Sequence, residues 1–73
     1  MKTSMYFAVS QYLATGQDYE GFQALMDASE DIADERLTNV LTRADRAMYD
    51  GVEWREIRAG LRRDLSALLS PPL

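Results

Sequence analysis

The residues with the greatest capacity for chemistry in this sequence are five carboxylates that recur at a regular spacing. They are Asp27, Glu30, Asp31, Asp34 and Glu35. If they lie on one continuous helix, this spacing places all five on a single face. A row of carboxylates can perform acid–base catalysis, coordinate a cation or bind a basic surface.

The composition argues against the catalytic use of these carboxylates. The 73-residue chain contains no histidine and no cysteine, so it lacks the commonest general base and the thiol nucleophile. Its four glycines are scattered and form no phosphate-binding loop. A domain of this size leaves little volume for a cleft that holds two carboxylates and a sugar. We expect no enzymatic activity and no cofactor.

The spacing also argues against a metal site. A calcium-binding loop that starts at Asp27 requires glycine at its sixth position and glutamate at its twelfth. The sequence places Ile32 and Thr38 there. A carboxylate site for two metal ions normally adds histidine from a facing helix. We therefore expect no bound metal.

Charge is segregated along the chain, which favours a role of the carboxylates in binding a basic surface. Residues 1–35 carry one base and seven acids, whereas residues 36–73 carry seven arginines and five acids. No base stands three or four positions from any of the five carboxylates, and like charges four apart destabilise a helix by roughly 0.2–0.5 kcal/mol. Such a row repels phosphates and complements a basic surface. The predicted partner is a basic protein or nucleoprotein complex, not nucleic acid itself.

Two structural explanations of the same carboxylates remain open. A helix that starts at Ser29 would place Glu30 and Asp31 in its first turn, where the helix dipole favours acids. Arginines near the C-terminus could instead neutralise the acidic face from a neighbouring helix. We expect these arginines to form an ordinary salt-bridged surface rather than to contact phosphate, because acids are interleaved with them. They are Arg55, Arg58, Arg62 and Arg63.

Apolar residues recur with helical periodicity along the whole chain. The expected fold is all-α, a single domain over residues 1–73 built as a bundle of three to four antiparallel helices. The expected starts are Ser4, Asp18 and Ser29, and the expected stops are Gly16, Asp50-Gly51 and Ser70-Pro71-Pro72. The predicted helices span 4–15, 18–28, 29–50 and 53–69, and the middle two can merge.

The last two helices carry the clearest apolar stripes and should pack against each other. The residues predicted to form their interface are Leu37, Val40, Leu41, Ala44, Met48, Trp54, Ile57, Leu61, Leu65 and Leu68.

Five aromatic residues crowd the first 22 positions, and two short helices cannot bury all of them on one face. Core packing accounts for most of this aromatic surface. The surplus could serve a homodimer or an apolar contact beside the acidic stretch. The candidates are Tyr6, Phe7, Tyr12 and Tyr19.

No apolar run approaches the length of a transmembrane helix, and the run from Met5 to Val9 is too short for a signal peptide. We expect a cytoplasmic protein that binds no membrane. In its size, acidity and helical pattern the chain resembles in type the phage-encoded inhibitors of host defence, including anti-CRISPR proteins, and also antitoxins. The row of carboxylates could compete with phosphate for arginines and lysines, so we expect a non-enzymatic inhibitor of a nucleic-acid-handling complex, as that resemblance in type also suggests. An antitoxin-like neutralising protein or a self-associating structural protein is the alternative.

Overall fold

The computed structural model describes residues 4–15 and 17–70, which form four helices and no strand. The helices are α1 (Met5–Thr15), α2 (Tyr19–Ile32), α3 (Glu35–Tyr49) and α4 (Trp54–Leu69). The predicted all-α bundle is confirmed.

Three of the predicted helix boundaries are made by the expected residues. The Ser4 hydroxyl accepts a hydrogen bond from the Phe7 amide at 3.1 Å, and the Asp18 carboxylate accepts one from the Gly21 amide at 2.7 Å. Gly51 ends α3 at φ 88°, a conformation that glycine adopts without a steric penalty. Its amide donates to Met48, while the next amide donates to Ala47, as in a Schellman motif. The predicted stops at Gly16, Pro71 and Pro72 lie outside the described residues.

The boundary between α2 and α3 differs from the predicted one. Ser29 does not start a helix, because α2 continues through it to Ile32 and its hydroxyl donates to the Met26 carbonyl at 2.6 Å. Ala33 then adopts the left-handed conformation (φ 53°, ψ 38°), and Asp34 caps α3. The two helices therefore neither merge nor meet at residue 29.

The apolar stripes meet in one core. The interface between α3 and α4 is the most extensive, and α1 packs on both α2 and α4. The predicted residues of α3 and α4 all lie in or against this core, with Val40, Met48, Trp54 and Leu68 only partly buried. The buried side chains are Met5, Ala8, Val9, Tyr12, Phe22, Leu25, Leu37, Leu41, Ala44, Ile57, Leu61 and Leu65.

Candidate protein-binding surface

The five carboxylates do not form one helical face, because the chain breaks at Ala33 and Asp34. Asp27, Glu30 and Asp31 lie on α2 and are exposed to solvent. The other two belong to the start of α3. These five carboxylates include three pairs that stand four residues apart, and of these Asp27 with Asp31 is the pair that lies within a single helix.

Asp34 and Glu35 have a structural explanation. One carboxylate oxygen of Asp34 accepts from the Arg36 amide at 2.9 Å, and the other pairs with the Arg36 guanidinium at 3.0 Å. The side-chain hydrogen bond from Arg36 holds the pKa of Asp34 below its ordinary value. Glu35 lies in the first turn of α3, where the helix dipole favours an acid.

Glu30 and Asp31 lie at the end of their helix that is unfavourable for an acid. They lie in the last turn of α2, which contains no basic residue. The helix dipole disfavours a negative charge there by roughly 0.3–1 kcal/mol per charge. The expectation that a helix start stabilises these two acids is therefore wrong, since it required a start at Ser29.

The arginines of α4 do not neutralise these acids. Among the described residues, the ion pairs within 4 Å are Asp34 with Arg36 and Asp64 with Arg63. The expected salt-bridged surface on α4 is thus limited to Arg63, while Arg55, Arg58 and Arg62 are exposed without an ion pair in this part of the chain. We call the exposed trio of Asp27, Glu30 and Asp31 the acidic patch.

A groove of about 390 Å³ borders the acidic patch, and sequence spacing did not predict it. Asp27 of α2 and Asp45 of α3 both line it, together with Tyr19 and Phe22. Tyr19 is 48% exposed and meets Trp54 edge-on, with ring centroids 5.8 Å apart. The groove thus offers two carboxylates beside an aromatic ring. No signal in the sequence links Asp45 with Asp27, because only helix packing brings them to one groove.

The four aromatic candidates separate into three environments. Tyr6 and Phe7 are 55% and 64% exposed, and Tyr19 borders the groove described above. The prediction that Tyr12 contributes to a contact surface is wrong, because only 3% of it is exposed. Its position in the helical repeat places its side chain in the core, on the same side of α1 as Val9. Burial raises the pKa of Tyr12, although the positive charge of Arg58 partly opposes this effect.

The described segments hold no group of three or more acidic residues placed to bind a metal ion. Within the same segments, each helix is too short or too polar to cross a lipid bilayer.

No model of a known protein family, no curated protein and no solved structure matches this chain. We therefore infer its function from its own exposed surface.

Proposed function

We propose that the chain is a non-enzymatic binding protein whose acidic patch engages a basic surface on another protein. One observation carries this proposal. Asp27, Glu30 and Asp31 are exposed and lack an ion pair among the described residues, and two of them occupy a helix end that disfavours them. A small domain has little stability to spare, so an arrangement that costs stability favours a role outside the fold.

The groove supports recognition of a long basic side chain in particular. Asp27 and Asp45 supply acceptors for a guanidinium or an ammonium group, and a charge-assisted bond of this kind is stronger than a neutral one. The exposed Tyr19 ring offers a face for the same cation. The aliphatic stem of an arginine or lysine would pack on Met26, which also lines the groove and is only partly buried.

Basic surfaces of this kind are typical of proteins that hold nucleic acid. The proposed partner is therefore a nucleic-acid-handling protein or complex, and the acidic patch would compete with phosphate for its arginines and lysines. Inhibition of the partner follows, as in the phage anti-defence and anti-CRISPR proteins that the chain resembles in type. An antitoxin-like protein that neutralises a basic toxin would use the same chemistry.

The test compares three baits in pull-downs from cell lysate at low and moderate salt, with captured proteins identified by mass spectrometry. The first is the wild type, and the second carries Asp27→Asn, Glu30→Gln and Asp31→Asn. The third carries Asp50→Asn, Glu53→Gln and Glu56→Gln, which removes the same charge from exposed positions around the α3–α4 connection. We expect a basic nucleic-acid-binding protein to be captured by the first and third baits only, and less of it at moderate salt.

The captured protein is then purified and its binding measured with duplex DNA as competitor. Displacement of the wild type by DNA would support competition for a shared basic surface. Equal capture by all three baits would contradict the proposal, as would capture that is insensitive to salt.

A further inference from the structure

Arg36 at the start of α3 lies close to the Tyr6 hydroxyl, but the side chains of α1 itself are uncharged. None of its 11 residues is acidic or basic, in a chain of which 27% is charged. Apolar residues occur on both sides of the helix, and Tyr6 and Phe7 remain more than half exposed. The rest of the exposed side is polar but uncharged, with Ser10, Gln11 and Thr15. The core covers one side of α1, and the other side is uncovered among the described residues.

A groove of about 340 Å³ lies beside Phe7, between α1 and α2. Phe7 stands at its edge, and the α2 side is formed by the small residues Gly21, Ala24 and Ala28. No charged residue lines this groove, whereas aspartate lines the groove beside the acidic patch, and arginine, glutamate and aspartate line a groove between α3 and α4. The same face therefore presents a protruding aromatic ring and a shallow uncharged recess.

We propose that this face binds a second copy of the chain, with Phe7 of each copy seated in the α1–α2 groove of the other. A two-fold arrangement requires a surface that complements itself, and a ring beside a recess meets that requirement. Charge supports the same occupant. Each copy carries a net charge of −4, so two copies approach with least repulsion through a neutral face. A basic partner would find no carboxylate here to pair with.

The available area is consistent with a dimer. A specific interface buries at least about 600 Å² on each partner, which is about a ninth of the 5426 Å² that the chain exposes. A buried aromatic side chain contributes about 150–250 Å², and Tyr6 and Phe7 each retain more than half of their surface. Half of two such side chains is roughly 150–250 Å², so an interface of this size must also include the other exposed residues of α1 and α2, among them Gln11, Ala14 and Ala24.

Sedimentation equilibrium of the purified full chain, from low to high micromolar concentration, tests the proposal. We expect a reversible monomer–dimer equilibrium in the wild type. Phe7→Ser removes the ring and should weaken dimerisation about tenfold or more. Ala24→Glu introduces like charges into the interface and should weaken it to a similar extent.

Each variant has a matched control. Tyr49→Ser removes an aromatic ring that is 93% exposed at the end of α3, and Ala59→Glu places the same new charge on the exposed side of α4. Both controls should dimerise like the wild type. All four variants should fold, because Phe7, Ala24, Tyr49 and Ala59 are exposed. Circular dichroism checks this for each variant.

A monomeric wild type at high micromolar concentration would overturn the proposal, as would a dimer that Phe7→Ser and Ala24→Glu leave unchanged. Salt separates this surface from the acidic patch. Added salt screens repulsion between the negative copies and should strengthen dimerisation, whereas it should weaken binding to a basic partner. The dimerisation test and the test of binding to a basic partner can therefore succeed or fail independently.

Discussion

At the scale of a single residue, Tyr12 shows what it costs to bury a polar group inside the core. The ring is 97% covered, and its hydroxyl has no hydrogen-bond partner in the described structure. A buried polar group without a partner costs roughly 1–3 kcal/mol. The ring stabilises the core while its hydroxyl detracts from that contribution.

We predict that Tyr12→Phe stabilises the fold by about 1 kcal/mol at neutral pH, because it removes the unpaired hydroxyl and keeps the ring. The difference should grow at alkaline pH. The folded-state pKa of Tyr12 is raised above its ordinary value of 10.0, so the unfolded chain loses this proton first and wild-type stability falls as pH rises through about 10. Urea unfolding of both proteins across this range measures both effects.

Tyr49→Phe provides the control, since the Tyr49 hydroxyl belongs to a residue that is 93% exposed. It should leave stability almost unchanged at neutral pH. A loss of stability in Tyr12→Phe would show that the hydroxyl has a partner, such as a buried water.

At the scale of an element, α2 carries the conflict between stability and the proposed binding. Its start is favourable, because Asp18 caps it and Glu20 lies in its first turn. Its end is unfavourable, because Glu30 and Asp31 face the negative end of the dipole and Ala33 takes a left-handed conformation that favours glycine. The acidic patch therefore lies on the less stable end of the helix.

The double substitution Glu30→Gln and Asp31→Asn should stabilise the protein by about 1 kcal/mol, because it removes both charges from the C-terminal end of α2 and relieves repulsion with Asp27. For a domain of this size, the midpoint of thermal unfolding should rise by about 4–8 °C. The same variant should bind a basic partner less well. Thermal melts at low and high salt measure the gain, which should shrink as salt rises.

The charge-matched control has the opposite expected sign. Glu53→Gln and Glu56→Gln remove two acids from the start of α4, where the dipole favours negative charge, and should lower stability. A loss of stability in the α2 variant would indicate that Glu30 or Asp31 supports the fold and would weaken the case for the acidic patch.

At the scale of the whole molecule, a compact core leaves two distinct surfaces. One is acidic and is formed by α2 at its junction with α3, and the other is uncharged and is formed by α1 with α2. Both depend on the same twelve buried side chains. A chain of 73 residues has a total stability of about 4–11 kcal/mol, so this core has little reserve.

We predict that Leu65→Ala destabilises the protein by about 2–5 kcal/mol, because Leu65 is fully buried where α4 meets the core. Urea unfolding measures the loss. Leu68→Ala is the matched control, since Leu68 is only partly buried and should cost less. Equal losses at the two positions would show that the core is not centred on Leu65.

The sequence by itself determined the all-α class, the caps at Ser4 and Asp18, the stop at Gly51 and the stripe from Leu37 to Leu68. These features depend on local backbone chemistry and on the helical period, which a single sequence displays. The position of the α2–α3 break was not predicted, because Ser29 and Asp34 are both good capping residues and only packing selects between them.

The tertiary structure decided which charges remain unpaired. Ion pairing between helices depends on how α4 is placed relative to α2, and no spacing along one helix contains that information. The same reason explains why Asp45 joins Asp27 at one groove. The residue types were readable from the chain, whereas their exposure and their partners followed from how four amphipathic helices share one core.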